Sequence, residues 1–279
     1  MMRACGFGCR FRAIGGLLMP TENSTQGRLT EGLVALADIS GYTDFVRHRA
    51  LSLQHAEMIV TELMGGIIDA VESPWVVNKL EGDAALVYAE LPPTTQPDQV
   101  AVAIGSLSRL FDAFDSMRSR LTEERRNCGC GACTDLGRLR LKVLSHRGAL
   151  VVKRVRQFEE LAGDDVILLH RLAKNDVPVH EYLLLTEPVM QALASNPLPA
   201  LPLPQQVDGW EQPVPIWYLS EPQRCRELLG LRRPAPRASS PAPGVRRRWF
   251  HHLPPGPHNR LRAWLEGLVL MFRRNVGPS

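Results

Sequence analysis

Residues 33–45 read LVALADISGYTDF, an apolar run that ends in a carboxylate and passes directly into small residues. The run suits a buried strand with Asp38 at its carboxyl end. The chain then turns into a helix at Ser40, Gly41 and Thr43, and such a turn leaves backbone N–H groups free to bind an anion. An acid beside an anion cradle favours a divalent cation between protein and polyphosphate. A simple helix cap without chemistry explains the same residues.

A second carboxylate lies in residues 76–88, VVNKLEGDAALVY, which read as a β-hairpin around Gly82 and Asp83. If this hairpin pairs beside the first strand, Asp38 and Asp83 can face each other and hold two Mg²⁺ or Mn²⁺ ions, which lie about 4 Å apart in two-metal sites. Lys79 precedes Asp83 on the same hairpin, within reach of a base or a phosphate. Gly82 and Asp83 also fit ordinary turn chemistry. The two acids in this order, about 45 residues apart with a helix between them, are the more specific signal.

The charge of the chain is concentrated at one end. Ten arginines and one acid give residues 231–279 a net charge of +9, whereas the whole chain of 279 residues carries +4, so residues 1–230 carry −5. This balance excludes a nucleic-acid-binding surface on the body of the protein. No apolar run is long enough to span a bilayer, and the first twenty residues lack a convincing signal-peptide pattern. We therefore expect a cytoplasmic protein.

Composition divides the chain into four segments. We expect residues 1–28 to be disordered, residues 29–230 to form the folded domain, and residues 231–257 to be a linker rich in Pro and Arg. Residues 258–275 read as a basic amphipathic helix with Trp264 on its apolar side. This helix could lie peripherally on an anionic membrane surface, or dock onto its own domain or a partner.

Within residues 29–230 the apolar patterns predict elements in the order β-α-β-β-α-β-β-α-β-α-β. The predicted elements include long helices at 42–71 and 98–126, a loop at 128–137, and two strands, 139–146 and 150–155, around Arg147 and Gly148. Strand–helix–hairpin–helix–strand is the ferredoxin-like pattern. We therefore expect an α+β fold whose antiparallel-rich sheet is covered by helices.

Three of the six cysteines, Cys128, Cys130 and Cys133, fall within the sequence CGCGAC. Thiolates so close together favour Zn²⁺, which takes four ligands at about 2.3 Å for sulfur. The fourth ligand would come from Cys225, a histidine or a symmetry-related copy. The alternatives are a reduced cysteine loop in a cytosolic protein and an iron–sulfur or redox role.

Two histidines lie inside predicted elements. His146 falls in a strand, and His170 lies within an apolar helix. Because the sequence shows no carboxylate partner for either ring, we interpret both as structural.

Together these residues resemble the catalytic domain of class III adenylate and guanylate cyclases, roughly over residues 33–219. ADISGYTDF resembles the segment with the first metal-binding Asp, and KLEGDAALVY resembles the segment that pairs a base-selecting Lys with the second metal-binding Asp. LRLKVLSHRGALV looks like the central hairpin, LAGDDVILLHRL like the helix that carries a catalytic Asn and an Arg, and VDGWEQPVPIWYL like the closing strands. The resemblance implies the cyclase α+β fold and a nucleoside triphosphate substrate. It also implies a homodimer, because cyclases of this class build their sites between two domains.

Carried over residue by residue, the resemblance makes Asp38 and Asp83 ligands of two Mg²⁺ or Mn²⁺ ions, with Ile39 in the same metal site. Arg171 would stabilise charge on the triphosphate in the transition state. The residues assigned to the substrate are Lys79 and Glu160 for the base, Lys142 in place of a phosphate-binding Arg, and Ser40, Gly41, Tyr42 and Thr43 beside the phosphates. The implied reaction is attack of the ribose 3′-hydroxyl on the α-phosphate with release of pyrophosphate, and Lys79 favours ATP over GTP.

The sequence departs from the cyclase pattern at two points. Ile167 stands where cyclases carry the catalytic Asn, and it cannot hydrogen-bond a ribose; Asn175, two turns further on, is a poor substitute. No Lys or Arg stands near Gly209, where cyclases place one for the γ-phosphate. The run GDDVILLHRLAKN and the cysteine loop resemble a narrower bacterial family of uncharacterised function that shares the missing Asn. The alternative function is therefore a catalytically degenerate domain that binds nucleotide or serves as a signalling interaction module.

Overall fold

The fold is built on one eight-stranded sheet. This computed structural model describes residues 27–42, 45, 53–92, 94–193 and 198–231. The strands are β1 (Arg28–Ser40), β2 (Val76–Glu81), β3 (Ala84–Glu90), β4 (Arg140–Val155), β5 (Phe158–Ala162), β6 (Tyr182–Thr186), β7 (Leu201–Gln205) and β8 (Val214–Leu219). The helices are α1 (Leu53–Asp69), α2 (Pro97–Ser106), α3 (Ser108–Glu124), α4 (Gly131–Asp135), α5 (Asp164–Leu172), α6 (Glu187–Ala192) and α7 (Cys225–Leu228).

The sheet runs in the order β2-β3-β1-β4-β6-β8-β7, and β5 pairs with β4 off this path. The β4–β6 pair is parallel, whereas the other strand pairs are antiparallel. The predicted α+β fold with an antiparallel-rich, helix-covered sheet is confirmed.

Alternation along β1 distributes its side chains between two hydrophobic cores. Leu33 and Ala35 join the larger core, which includes residues of α1, α2 and α3. Val34 and Leu36 join the smaller core, which includes residues of α5. Because successive side chains of a strand point to opposite faces, Asp38 continues the series of Val34 and Leu36. Its carboxylate therefore emerges on the α5 face, near the end of a central strand whose residues 32–37 are buried.

The two strands predicted around Arg147 and Gly148 are a single strand, and that prediction was wrong. β1 pairs with β4 without interruption from Ser40↔Arg140 to Arg28↔Val152, so the glycine lies in mid-strand. The hairpin turn comes later, at Arg156, which has a positive φ of 58°. Its second arm is β5, which the sequence analysis did not predict.

The predicted helix at 98–126 is two helices that meet at Leu107. The adjacent serines are buried and turn their hydroxyl groups back onto the chain, with Ser106 bonding Ala103 O and Ser108 bonding Gly105 O. Such local bonds compete with a continuous helical ladder. The predicted loop at 128–137 contains α4 and the start of a 3₁₀ turn, and β7 is a further strand that the sequence analysis did not predict.

Several predictions lie wholly or partly outside the described residues. Of the helix predicted at 42–71, the structure describes the turn at its start and α1 at its end. Thr43 lies outside the described residues. The helix predicted at 258–275 also lies outside them. Residues 1–28 and 231–257 are described only at their innermost positions, where Arg28 already opens β1. Within the described ranges, no helix has the length and apolar character needed to cross a membrane.

Candidate functional site

Asp38 and Asp83 lie side by side at one end of the sheet. β3 pairs with β1 so that Asp38 stands opposite Ala84, the residue that follows Asp83. The backbone N–H of Ile39 donates to the carbonyl of Asp83 at 3.1 Å, which fixes the hairpin turn against the strand end. The carboxylate of Asp38 is close enough to raise the pKa of the Asp83 carboxyl group. The structure thus brings together the two acids that the sequence places about 45 residues apart.

The electrostatics of this pair are unusual. Burial, followed by the negative charge of Asp38, raises the pKa of Asp83 to about 6. Lys142 opposes this shift, and its ammonium group lies 3.0 Å from Asp38 Oδ2. The same ammonium donates to the carbonyl of Ala173 at 3.0 Å, so Lys142 is held from two sides. Two acids that share one neighbouring cation form an oxygen-rich site that favours additional positive charge.

A second group forms where β2 meets β5. The ammonium of Lys79 lies 3.1 Å from Glu160 Oε2 and 3.2 Å from Glu81 Oε1. The hydrogen bond to Glu160 is the largest of the effects that raise the pKa of Lys79. Lys79 and Glu160, the two residues that the resemblance assigns to the base, are therefore in direct contact, with Glu81 as an additional partner.

His170 extends this group from α5. Its Nε2 lies 2.8 Å from Glu81 Oε2, and its Nδ1 donates to the carbonyl of Val166 at 2.8 Å. Burial acts to raise the pKa of Glu81, but the bonds from His170 and Lys79 outweigh it and hold that pKa below its ordinary value. The structure therefore gives His170 the carboxylate partner that the sequence did not show. Its partner lies 89 positions away in the sequence, so no local pattern could reveal it.

A cavity of about 510 Å³ opens between this group and α5. Lys79, Glu81, Ile167, His170 and Arg171 are among its lining residues. The side chain of Ile167 is 48% exposed, so the residue at the position of the missing Asn projects into open space instead of packing in a core. A polar substrate in this cavity would meet charged groups on one side and an apolar side chain on the other.

Arg171 contacts the segment that connects β7 to β8. Its guanidinium donates to the carbonyl of Asp208 and lies over the Trp210 ring at 5.6 Å from the centroid. It also packs against Gly209, which has a positive φ of 86°. These contacts therefore hold the Arg171 guanidinium in place in this structure.

The side-chain amide of Asn175 is fully engaged in hydrogen bonds to nearby residues. Its Nδ2 donates to Leu172 O at 2.7 Å, and its Oδ1 accepts from Val177 N–H and the Tyr182 hydroxyl. The Asn175 amide therefore cannot replace the missing catalytic amide without losing these bonds.

The turn after β1 has the shape that the sequence predicts for a helix start. Gly41 adopts a positive φ of 89°, and the N–H of Phe45 bonds its carbonyl at 2.9 Å. Tyr42 donates its hydroxyl to Glu57 on α1 at 3.2 Å. The turn follows Ser40 directly and so begins three residues beyond Asp38.

Two comparisons place part of the chain among proteins of unassigned activity. Residues 60–182 match the family described as "Protein of unknown function (DUF2652)". An uncharacterised protein of Mycobacterium tuberculosis is 34% identical over 134 residues, which make up 48% of this chain and 60% of that protein. The chain thus spans 60% of the length of this curated relative.

Solved structures show which fold this is. The adenylyl cyclase CyaB from P. aeruginosa matches with a TM-score of 0.55 at 14% identity, over 69% of this chain and 95% of that one. The guanylyl cyclase Cya2 matches with a TM-score of 0.54 at 18% identity, over 69% of this chain and 93% of that one. This is the class III nucleotidyl cyclase fold. The resemblance expected from the sequence motifs is confirmed at the level of the fold.

The cyclase-like domain also carries a cluster of soft ligands away from the paired acids. Cys128, Cys130 and Cys133 converge on His55 of α1, and the four donor atoms all lie within 4.8 Å of one another. A hydrogen bond from the Cys133 backbone N–H is the largest of the effects that lower the pKa of Cys130 to about 6. Burial, with the neighbouring thiols, raises the pKa of Cys133 to about 12. These four residues could hold a metal ion.

Cys225, one of the sources considered for the fourth ligand of the cysteine cluster, does not belong to that cluster. Cys225 is fully buried on α7, where its thiol faces the carbonyl of Ile104 at 3.9 Å. Of the three sources considered for the fourth ligand, the structure supplies a histidine. The sequence signal for His55 was weak, because it lies more than 70 positions before the cysteines.

His146 also has a carboxylate partner that the sequence did not show, and the burial of its ring agrees with the structural interpretation. Its Nε2 lies 2.9 Å from Asp165 Oδ1 and its Nδ1 lies 2.8 Å from the Thr186 hydroxyl. Thr186 is 1% exposed and His146 3%, so substrates cannot reach the His146 ring, although the side chain of Asp165 is 32% exposed. The role of these three side chains is to anchor the start of α5 to β4 and β6.

Proposed function

We propose that this cyclase-like domain binds a nucleoside triphosphate and converts it to a cyclic nucleotide, with Mg²⁺ or Mn²⁺ held by Asp38 and Asp83. The observation that carries the proposal is the pairing of these two acids at the end of the central strand, where burial raises the pKa of one to about 6. Adjacent buried acids are costly in a purely structural role. A divalent cation removes that cost.

The donor set fits a hard cation. Asp38 and Asp83 supply carboxylate oxygens, the ligands that Mg²⁺ and Mn²⁺ prefer, and the carbonyl of Ile39 is the proposed backbone ligand. Lys142 occupies the neighbouring position, where it can contact a phosphate once Asp38 engages a metal. A bound pair of ions supplies charge neutralisation on the triphosphate and lowers the pKa of the attacking hydroxyl. Ser40, Gly41, Tyr42 and Thr43 are proposed to bind the phosphates through the N–H groups of the turn.

The base is proposed to enter the cavity beside Lys79 and Glu160. A purine presents a donor and an acceptor on its Watson–Crick edge, and an ammonium beside a carboxylate is complementary to both. Guanine and adenine each satisfy this description, so the preference for ATP stays a prediction. Arg171 is proposed to leave the Asp208 carbonyl and Trp210 when phosphate is present, since a polyphosphate offers it a stronger, charge-assisted partner.

The test measures nucleotide binding and cyclic product separately. Full-length protein is incubated with ATP or GTP and Mn²⁺, and cyclic nucleotide and pyrophosphate are quantified. We expect product from the native protein and at least about a 100-fold loss in Asp38→Ala and Asp83→Ala, because each removes a charged metal ligand. Asp69→Ala, which removes an exposed acid at the end of α1, is the control and should retain activity.

Binding of labelled nucleotide without product would instead support the alternative of a degenerate nucleotide-binding or signalling module. Absence of both binding and product would overturn the proposal. The proposal includes a homodimer and a cytoplasmic location. Peripheral membrane contact through residues 258–275 is a separate hypothesis, because that segment lies outside the described residues.

A further inference from the structure

The cluster of His55, Cys128, Cys130 and Cys133 is a second centre, with ligands unlike those of the paired acids. Its donors come from two separate parts of the chain, the first turn of α1 and the segment that leads into α4. The Nδ1 atom of His55 lies 3.3 Å from the sulfur of Cys130, 3.6 Å from that of Cys128 and 3.7 Å from that of Cys133. One nitrogen thus faces three sulfurs at nearly equal distances.

These distances can be compared with the edges of a zinc tetrahedron. Zn–S bonds of about 2.3 Å and Zn–N bonds of about 2.0–2.1 Å give nitrogen–sulfur edges of about 3.5–3.6 Å in tetrahedral geometry. The three nitrogen–sulfur distances of 3.3, 3.6 and 3.7 Å lie close to that value. We infer that one Zn²⁺ ion binds the Nδ1 of His55 and the thiolates of Cys128, Cys130 and Cys133 as a closed, structural centre.

The geometry argues against the two other metal or redox interpretations of the cysteines. In an iron–sulfur cluster the four ligands are divided between two or more iron atoms and are held apart by the cluster itself, whereas all four donors here lie within 4.8 Å of one another. A disulfide would engage two thiols and leave the third thiol and the imidazole without a role. Four protein ligands also fill the coordination sphere of zinc, so no position is open for a substrate.

The proposed role of the ion is to fasten α1 to the segment before β4. The surroundings of the cysteines are core-like, since Ala132 and Leu136 are fully buried. The chain reaches His55 after leaving β1, and it passes from Cys133 into β4, so the ion ties together the segments that flank the Asp38–Lys142 pair. A short helix such as α4, with five residues, gains little stability from its own hydrogen bonds and depends on tertiary contacts.

The experiment measures metal content on full-length protein produced with zinc in the medium and dialysed without a chelator. Elemental analysis should find about one zinc per chain, and His55→Ala and Cys130→Ser should each reduce it at least about fivefold. Two matched controls should keep the full content: His180→Ala, which removes an exposed histidine, and Cys225→Ala, which removes a buried cysteine outside the cluster.

A conservative variant and a spectroscopic probe guard against misfolding of the alanine variants. His55→Cys should retain about one zinc, because a fourth thiolate completes the same tetrahedron. Co²⁺ substituted into the native protein should give the visible bands of a tetrahedral thiolate site, and these bands should change when His55→Cys adds a sulfur. Removal of zinc with a strong chelator should lower the melting temperature of the native protein and leave that of His55→Ala unchanged.

Three results would overturn the inference. If folded native protein contains no metal and takes up neither Zn²⁺ nor Co²⁺, there is no metal centre. Stoichiometric iron, or a disulfide within the cysteine loop, would show that the cysteines have a function other than zinc binding. Full zinc retention in His55→Ala would show that the ligand set is wrong. None of these measurements uses nucleotide, so the result is independent of the outcome for the proposed cyclase activity.

Discussion

Among single residues, Asp83 has the clearest energetic signature. Its pKa is raised to about 6 by burial and by Asp38, so the folded, metal-free protein binds the proton of Asp83 more tightly than the unfolded chain does. The stability of metal-free protein is therefore greatest below about pH 4 with respect to this group, and it falls as the pH rises from about 4 to about 6. The site is destabilising until a cation binds, which is typical of residues kept for function.

The first prediction concerns Asp83→Asn. At pH 7 without added Mg²⁺ or Mn²⁺, the variant should be more stable than the native protein by about 1–2 kcal/mol, a figure reduced for solvent screening because the carboxyl is only half-buried. Thermal unfolding between pH 4 and pH 7 should show a higher melting temperature at pH 7 and a smaller decline with pH. Added Mn²⁺ should stabilise the native protein and not the variant. Asp69→Asn is the control, and a variant less stable than native at pH 7 would contradict the expectation.

Ile167 gives the second prediction, because it tests whether one missing amide limits the chemistry. Its side chain is exposed in the cavity that Arg171 lines, so replacement should not disturb a core. Ile167→Asn should increase kcat for cyclic nucleotide formation by about 10-fold or more with little change in KM, since an oriented hydrogen bond acts mainly in the transition state. Ile167→Ala removes the same apolar surface without adding an amide and should leave kcat near the native value. An equal increase of kcat in both variants would show that the size of the Ile167 side chain, and not a missing hydrogen bond, limits the rate.

At this scale, the sequence predicted residues that sit in recognisable local motifs. Asp38 follows an apolar strand and Asp83 occupies a hairpin turn, so each could be found from its neighbours. His55 and Glu81 could not be found in the same way. Each acquires its role from a side chain more than 70 positions away, and one sequence carries no periodic signal for such a contact.

Among the elements, β4 does most to position the site. This strand of 16 residues pairs with β1 over residues 140–152 and carries Lys142 near one end and His146 near its middle. Gly148 made the sequence look like a turn, because glycine is common in turns and weakens strands. The structure gives a different reason for the glycine. A Cβ at position 148 would lie 2.1 Å from Asp165 Oδ2, so the strand lacks a side chain where α5 approaches it.

The third prediction follows from that close approach. Asp165 cannot easily move aside, because it binds the His146 ring and the backbone N–H of Ala149. Gly148→Ala should therefore destabilise the protein by about 1–3 kcal/mol, as overpacking does elsewhere. Gly65→Ala is the matched control, since a Cβ there meets no atom within 4 Å inside α1, and it should stabilise by about 0.5–1 kcal/mol. Urea unfolding of the three proteins measures both values, and a neutral Gly148→Ala would contradict the packing argument.

For the whole molecule, the arrangement of charged groups bears on how many copies form a site. The paired acids with Lys142 form one group, and Lys79 with its carboxylates forms another. Large apolar side chains lie exposed on the elements around the second group; they are Leu80 at 52%, Phe158 at 60% and Ile167 at 48%. Exposed apolar surface around a charged cavity is typical of a surface that a partner covers. In the proposed homodimer, a second copy of the chain would cover this surface and bring its own paired acids to the cavity.

The last prediction tests this arrangement by mixing two inactive proteins. If Asp38 of one copy works with Arg171 of the other, a dimer of Asp38→Ala and Arg171→Ala chains contains one intact site and one doubly altered site. Equal mixing should therefore restore about a quarter of native activity, because about half of the dimers are mixed and each has one of two sites. Asp38→Ala mixed with Asp83→Ala is the control and should stay inactive, since both acids belong to the same half-site. Light scattering should find two chains per particle. A monomer at concentrations that support activity, or two dimeric variants that never complement, would show that each chain builds its site alone.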